Sequence, residues 1–274
     1  MPRELERADT VSFLIEQWGT LGQLLDTLTD DEWAAESVLP GWSVHDIVSH
    51  VVGTELLLLG SDLPTVDFDV RELEYVRNDL AGINERWVQH FRDKSPTEMR
   101  MLFAETMDRR AEALKAMTIE EWYAPTIGPA GPTEYGKFML MRLFDCWVHE
   151  LDIRDSVDKP GDESGPRAEA AFGTIVNSLG YIVGRRAHAP EGSVVEFDFT
   201  GPIEFTTYVG VQEKARVLDK APEEKPTTIV RISSSLFVRL ACGRVDPEQV
   251  WDDVELLRDQ GLGAAIIRNL NYVP

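Results

Sequence analysis

Cysteine is scarce in this chain: Cys146 and Cys242 are the only two in 274 residues. They fall in parts of the sequence that read as different domains, so a disulfide framework and a thiolate metal cluster are both excluded. Any metal must then be held by imidazole and carboxylate. Long apolar runs are missing too. The longest purely aliphatic stretch, Leu56 to Leu59, is far too short to span a bilayer, and the first residues, MPRELERADT, lack the apolar core of a signal segment. Both point to a cytoplasmic protein without a membrane partner. Positive charge is the third shortage. Lys and Arg number 27 against 48 Asp and Glu, a formal net charge of -21, and such a field repels phosphate backbones and anionic head groups. Nucleic-acid partners are excluded on the same ground.

What is present suits two packed cores. The composition, 43% hydrophobic and 27% charged, is ordinary for a globular protein, and 274 residues exceed the usual domain size of about 100–150. Apolar residues at helical spacing from Leu5 to Leu28 predict a first amphipathic helix. Thr29 with Glu32 signals a short second one, and Ser43 with Asp46 caps a long one carrying Val44, Ile47, Val48 and Val51. Further helices are expected over Arg71–His90, from Ser95-Pro96 to Met117, and from a Thr133 cap to Val157. Leu28-Thr29-Asp30-Asp31-Glu32-Trp33 is echoed by Met117-Thr118-Ile119-Glu120-Glu121-Trp122, which suggests two helix-pair halves related by pseudo-symmetry.

The turn formers of residues 158–166 mark a boundary. Beyond it the sequence predicts a helix over 167–186, strands over 193–199, 204–209, 214–218 and 227–232, and helices over 233–241, 247–257 and 262–269. The expected fold class is therefore α+β: an antiparallel four-helix-type bundle in residues 1–159, followed by a small α+β domain in residues 160–274.

Five histidines are available. His90 and His188 read as solvated, and His45, in the first turn of its helix, is expected to be exposed as well. His50 and His149 differ, because each lies mid-helix among apolar residues, where an imidazole needs partners. Asp145 and His149 are four residues apart, about 40° round a helix, and Asp152 continues that face. One ligand from the Ser43 helix and two from the Thr133 helix would leave coordination positions open, as at a catalytic zinc. The same spacing also suits an ordinary hydrogen-bonded Asp145–His149 pair beside a satisfied core histidine.

The segment Pro40-Gly41-Trp42-Ser43-Val44-His45-Asp46-Ile47-Val48-Ser49-His50 resembles the first signature of the mycothiol-dependent maleylpyruvate isomerase family, within the DinB-like metal-binding bundles. Arg142-Leu143-Phe144-Asp145-Cys146-Trp147-Val148-His149-Glu150-Leu151-Asp152 resembles its second. The resemblance implies that His50, Asp145 and His149 hold Zn2+ or another divalent transition metal, with Asp145 standing where glutamate is expected. It further implies mycothiol as a thiol cosubstrate and a sterol-carrier-like C-terminal domain, to which residues 229–246 are similar.

An open zinc site suits such a cosubstrate, since the metal supplies thiolate at neutral pH for attack on a small electrophile, giving isomerisation or S-transfer. Cys146 lies about 100° round the helix from Asp145 and is expected to pack rather than react. Arg77, Arg86 and Arg142 are candidate anion clamps, and Asp152 or Asp46 could serve as base if the metal activated water instead. A non-catalytic reading stands beside these: a metal-stabilised module that binds an apolar ligand or a protein partner. Oligomeric state is left open by the sequence.

Overall fold

A computed structural model of the chain describes residues 6–129 and 131–272. It divides into two compact units, one running to Gly161 and the other beginning at Asp162. The first contains α1 (Arg7–Asp26), α2 (Asp30–Ala34), α3 (Val44–Leu58), α4 (Asp79–Phe91), α5 (Pro96–Ala116), α6 (Ile119–Trp122), the strands β1 (Pro125–Gly128) and β2 (Gly131–Glu134), and α7 (Tyr135–Ser156). Helix α1 packs on α5 and α7, and α3 packs on the same two helices. Thus α1 and α3 form one diagonal of a four-helix core, and α5 and α7 the other. Helix α4 lies outside that ring, on α3.

The helix starts follow from local chemistry. Thr29, Ser43, Ser95 and Thr118 each form a full capping box with the acidic residue three positions on, satisfying backbone donors that the first turn leaves free. Leu14, Leu21, Ile47, Val51, Met139 and Leu143 are wholly buried between the helices. Each such side chain contributes about 1.5–3 kcal/mol by leaving water.

Two expected helix starts move. The helix expected from Arg71 begins at Asp79, where the Asn78 side chain accepts from the Ala81 amide. Residues Val70–Glu72 form only a 3-10 turn, capped by Asp69. Thr133 does not cap α7. It is paired with Thr126 in the β1–β2 hairpin, and α7 begins after Glu134 with no side-chain cap.

The second unit holds α8 (Pro166–Val176), α9 (Leu179–Tyr181), β3 (Val194–Thr200), β4 (Phe205–Val211), β5 (Ala215–Val217), β6 (Thr228–Ser233), α10 (Ser234–Ala241), β7 (Val254–Arg258) and α11 (Gln260–Arg268). Its sheet order is β5-β4-β3-β6-β7, with β3 and β6 parallel and the other pairs antiparallel. Phe172, Phe197, Phe199 and Phe237 make a buried aromatic cluster under the sheet. The single helix expected over 167–186 is broken after Val176, with Ile182–Arg186 forming a π-helical turn. The helix expected over 247–257 is replaced by 3-10 turns and β7, because Val254 is buried and Glu255 exposed in alternation beside β6. Among the described residues, no helix is long and apolar enough to cross a membrane.

Candidate metal centre

The capping box at Ser43 fixes the start of α3, and two turns later that helix carries His50. Helix α7 presents Asp145 and His149 one turn apart. One potential ligand atom from each of the three lies within 4.8 Å of the others. His50 Nε2 faces Asp145 Oδ2 at 3.4 Å, and His149 Nε2 faces Asp145 Oδ1 at 3.7 Å. The two imidazoles meet nearly edge to face, 4.8 Å between centroids and 77° between planes. Around a tetrahedral zinc, ligand atoms stand about 3.3–3.4 Å apart, from bonds of about 2.0–2.1 Å. The two nitrogen–carboxylate separations, each to a different oxygen of Asp145, are close to that, and with one atom from each residue the set lies within 4.8 Å, so the donors suit such a cation once drawn together around it.

The side chains of His50 and His149 are 5% and 11% exposed, whereas that of Asp145 is 34% exposed. The trio is therefore closed on the imidazole side and reachable past the carboxylate. Burial holds the His50 pKa below 6.5, against the opposing pull of Asp145, and so keeps the imidazole in the neutral form a metal requires. Burial alone would raise the Asp145 pKa. The Arg142 guanidinium and the two imidazoles outweigh it and hold the carboxyl well below the usual carboxylate range.

Neighbouring groups orient these side chains. His149 Nδ1 lies 3.0 Å from Asp152 Oδ2, an arrangement that fixes the ring and turns Nε2 toward the cluster. Asp152 is thus buried against His149. The indole of Trp42 lies over His50, 5.5 Å between centroids, and its Nε1 donates to the buried Glu85 at 2.9 Å. Tyr75 Oη and Gln89 Nε2 also donate to Glu85, at 3.2 and 2.7 Å. The sequence reading missed Glu85, although a signal existed: it stands on the buried stripe of α4, three residues from Gly82 and from Val88.

A second buried acid was also missed. Glu55, on α3, has no exposed surface and lies between two buried arginines. Arg110 Nε donates to its Oε2 at 2.7 Å, and Arg142 Nε to its Oε1 at 3.0 Å. Arg142 Nη1 also donates to Asp145 Oδ2. The guanidinium expected to clamp a substrate anion is therefore engaged by the protein's own carboxylates.

The remaining candidates lie elsewhere. Arg86 donates to the Pro64 and Leu63 carbonyls, at 2.6 and 3.4 Å, and so holds the loop before α4. Arg77 is exposed. Asp46 serves the α3 cap and accepts from Arg92 Nε and Nη2, both at 3.2 Å. His90 and His188 are exposed. His45 is buried, contrary to its expected exposure, because the turn before α5 covers the start of α3. Its Nε2 lies 3.0 Å from the Lys94 carbonyl oxygen. Cys146 is wholly buried beside Arg142, and burial pushes its thiol up to about 12. It supplies no thiolate at neutral pH.

Comparison with known proteins gives a family match. The model of the mycothiol maleylpyruvate isomerase N-terminal domain matches residues 14–154. An uncharacterised protein of Mycobacterium tuberculosis strain CDC 1551 is 24% identical over 209 residues, covering 74% of this chain and 77% of its own length. A protein of strain H37Rv, also uncharacterised, matches with the same figures. Among solved structures, a mycothiol-dependent maleylpyruvate isomerase superposes with a TM-score of 0.59 at 17% identity, over 93% of this chain and 94% of its own. A histidine-to-alanine mutant of a mycothiol-dependent maleylpyruvate isomerase gives 0.58 at 15%, over the same shares. At these identities the likeness is one of fold.

Proposed function

Because the chain belongs to the mycothiol maleylpyruvate isomerase N-terminal domain family, we propose that it is a metal-dependent enzyme acting through a low-molecular-weight thiol. In this reading His50, Asp145 and His149 hold a divalent transition metal, zinc foremost. Mycothiol is the thiol cosubstrate, and a small electrophile undergoes isomerisation or S-transfer. The observation that carries the proposal is the convergence of two imidazoles and one carboxylate from α3 and α7, with the opening on the carboxylate side.

A divalent cation held there would lower the pKa of a coordinating thiol and make it nucleophilic at neutral pH. The chain's own groups prepare that chemistry. His50 stays neutral through burial, His149 is oriented by Asp152, and the Trp42 indole shields the His50 face from water. Cys146, the cysteine beside the trio, is a poor sulfur nucleophile, since it is wholly buried and burial pushes its thiol up to about 12. The attacking sulfur is then the cosubstrate's. Hydrolysis with Asp46 or Asp152 as base has less support, because Asp46 is occupied by its cap and Arg92, and Asp152 by His149.

The test is optical. Cobalt-loaded protein titrated with mycothiol should develop a sulfur-to-cobalt charge-transfer band, and a maleyl electrophile added next should be consumed only when the thiol is present. A loaded protein that gives no such band contradicts the thiol reading and favours a metal-stabilised binding module.

A further inference from the structure

Four charged side chains form a continuous file through the helical core, alternating in sign: Arg110 on α5, Glu55 on α3, and Arg142 and Asp145 on α7. Arg110 is 1% exposed, Glu55 0% and Arg142 3%. Each link is a direct contact. Arg110 Nε reaches Glu55 Oε2 at 2.7 Å, Arg142 Nε and Nη2 reach Glu55 Oε1 at 3.0 Å, and Arg142 Nη1 reaches Asp145 Oδ2. The Arg110 end is anchored as well, by Arg110 Nη2 donating to Tyr135 Oη at 3.1 Å. Buried ion pairs are a poor means of stabilising a bundle, because desolvation offsets most of the attraction and apolar replacements are often as stable or more so. Such a file therefore calls for a task beyond packing, and its last member, Asp145, is one of the three residues of the candidate metal centre.

The geometry points to Arg142, locked in place by Glu55, as a positioning residue that engages one oxygen of Asp145 and leaves the other for the cation. The two oxygens are differently placed. Oδ2 accepts from Arg142 Nη1 and also lies 3.4 Å from His50 Nε2, while Oδ1 faces His149 Nε2 at 3.7 Å, beyond hydrogen-bond length. A planar guanidinium can hold two carboxylates at once, here Glu55 and Asp145, and so fix the second relative to the first. This matters because aspartate is one methylene shorter than glutamate, so its reach depends on a set orientation.

The inference rests on the metal reading above, and the experiment separates the two. Wild type, Glu55→Gln and Arg142→Lys are each titrated with Co2+, the visible d–d spectrum is recorded, and the melting temperature of each metal-free protein is measured. Glu55→Gln keeps the volume but releases Arg142, and Arg142→Lys keeps the charge but loses the planar fork. Both should bind Co2+ about 10–100-fold more weakly, the usual effect of losing a partner that orients a ligand. Both should also show a shifted d–d band, which a merely structural role would not produce. Should Glu55→Gln fail to fold, Arg142→Lys decides alone. Variants that melt lower but bind Co2+ with wild-type affinity and spectrum overturn the assignment of Arg142. Wild type that binds no Co2+ overturns the metal reading and this inference with it.

Discussion

The two halves of the helical unit, α1–α3 and α5–α7, share a plan and differ in how each enters its last helix. Both contain a short helix opened by a threonine–glutamate capping box, Thr29 with Glu32 and Thr118 with Glu121, followed by a buried tryptophan. Each indole is covered by an arginine from the other half's first helix, Arg100 over Trp33 and Arg7 over Trp122, both at 5.9 Å. The first half then makes a single bridge, Glu36 to Ser43, and caps α3 with the Ser43 side chain. The second makes a paired hairpin and starts α7 uncapped. The candidate site is laid unequally on this near-repeat: α3 gives His50 and Glu55, whereas α7 gives Asp145, His149 and the side chains in contact with them, Arg142 and Asp152. The scaffold repeats, and the chemistry does not.

If the halves act jointly at the metal, removing a ligand from either should have the same result. His50→Ala in the first half and His149→Ala in the second should each abolish bound metal and its stabilisation of the folded state, as mass action requires. Elemental analysis and calorimetry on the purified variants check this. A variant of one half that keeps its metal would break the comparison at its centre. His45→Ala should lower stability yet leave the metal in place, and His188→Ala should change neither stability nor metal.

Smaller effects probe the entries to the last helices. Gly41 has a φ of +78°, and a Cβ there would stand 2.2 Å from the Tyr75 ring; at Gly136 one would stand 2.3 Å from the Trp122 indole. Alanine at either position should destabilise by about 1–3 kcal/mol through strain or overpacking. Denaturant titration should give the larger loss at Gly41, where backbone conformation and space both oppose a side chain. Next in size, Ser43→Ala should cost about 1 kcal/mol through its lost cap. Glu134→Ala, at the equivalent position before α7, should cost much less, because its side chain makes no capping bond. Equal losses would mean that the hairpin does not replace the cap.

The helix starts at Thr29, Ser43, Ser95 and Thr118 were legible in the sequence, since capping is a matter of residue type and spacing within four positions. Local spacing tied only Asp145 to His149, one helix turn apart; His50 is 95 positions from Asp145, and it was the family resemblance that grouped it with them. The buried charges were not legible. Glu55 and Arg142 are 87 positions apart and Glu55 and Arg110 are 55 apart, so no local pattern reveals that they neutralise one another. Arg86 has the composition of an anion clamp, and only the fold reveals that backbone carbonyls occupy it. His45 looked exposed because first-turn residues usually are, and burial came from a turn nearly fifty positions away. In the second unit Val254-Glu255-Leu256-Leu257 was read as the end of a helix, and only the fold reveals its antiparallel pairing with β6.

His45 gives the smallest prediction, in pH dependence. Burial lowers its folded pKa below 6.5. Above 6.5 both folded and unfolded states are neutral there. As pH falls through that value the unfolded chain takes up a proton that the folded one refuses, so stability declines until the folded pKa is passed. Urea titrations of metal-free protein at pH 7.5 and 5.5 should show the loss, and His45→Gln should show less of it. An unchanged difference would assign the pH dependence elsewhere.

The central claim is that α3 and α7 together hold a metal, and metal content tests it most directly. Protein purified without chelator, then dialysed and analysed by mass spectrometry for elements, should carry about one equivalent of a divalent transition metal per chain, the load of a single three-ligand centre. His50→Ala prepared in parallel should carry none. Wild-type protein that is metal-free as purified, and that neither binds added zinc or cobalt nor melts higher in their presence, would contradict the account.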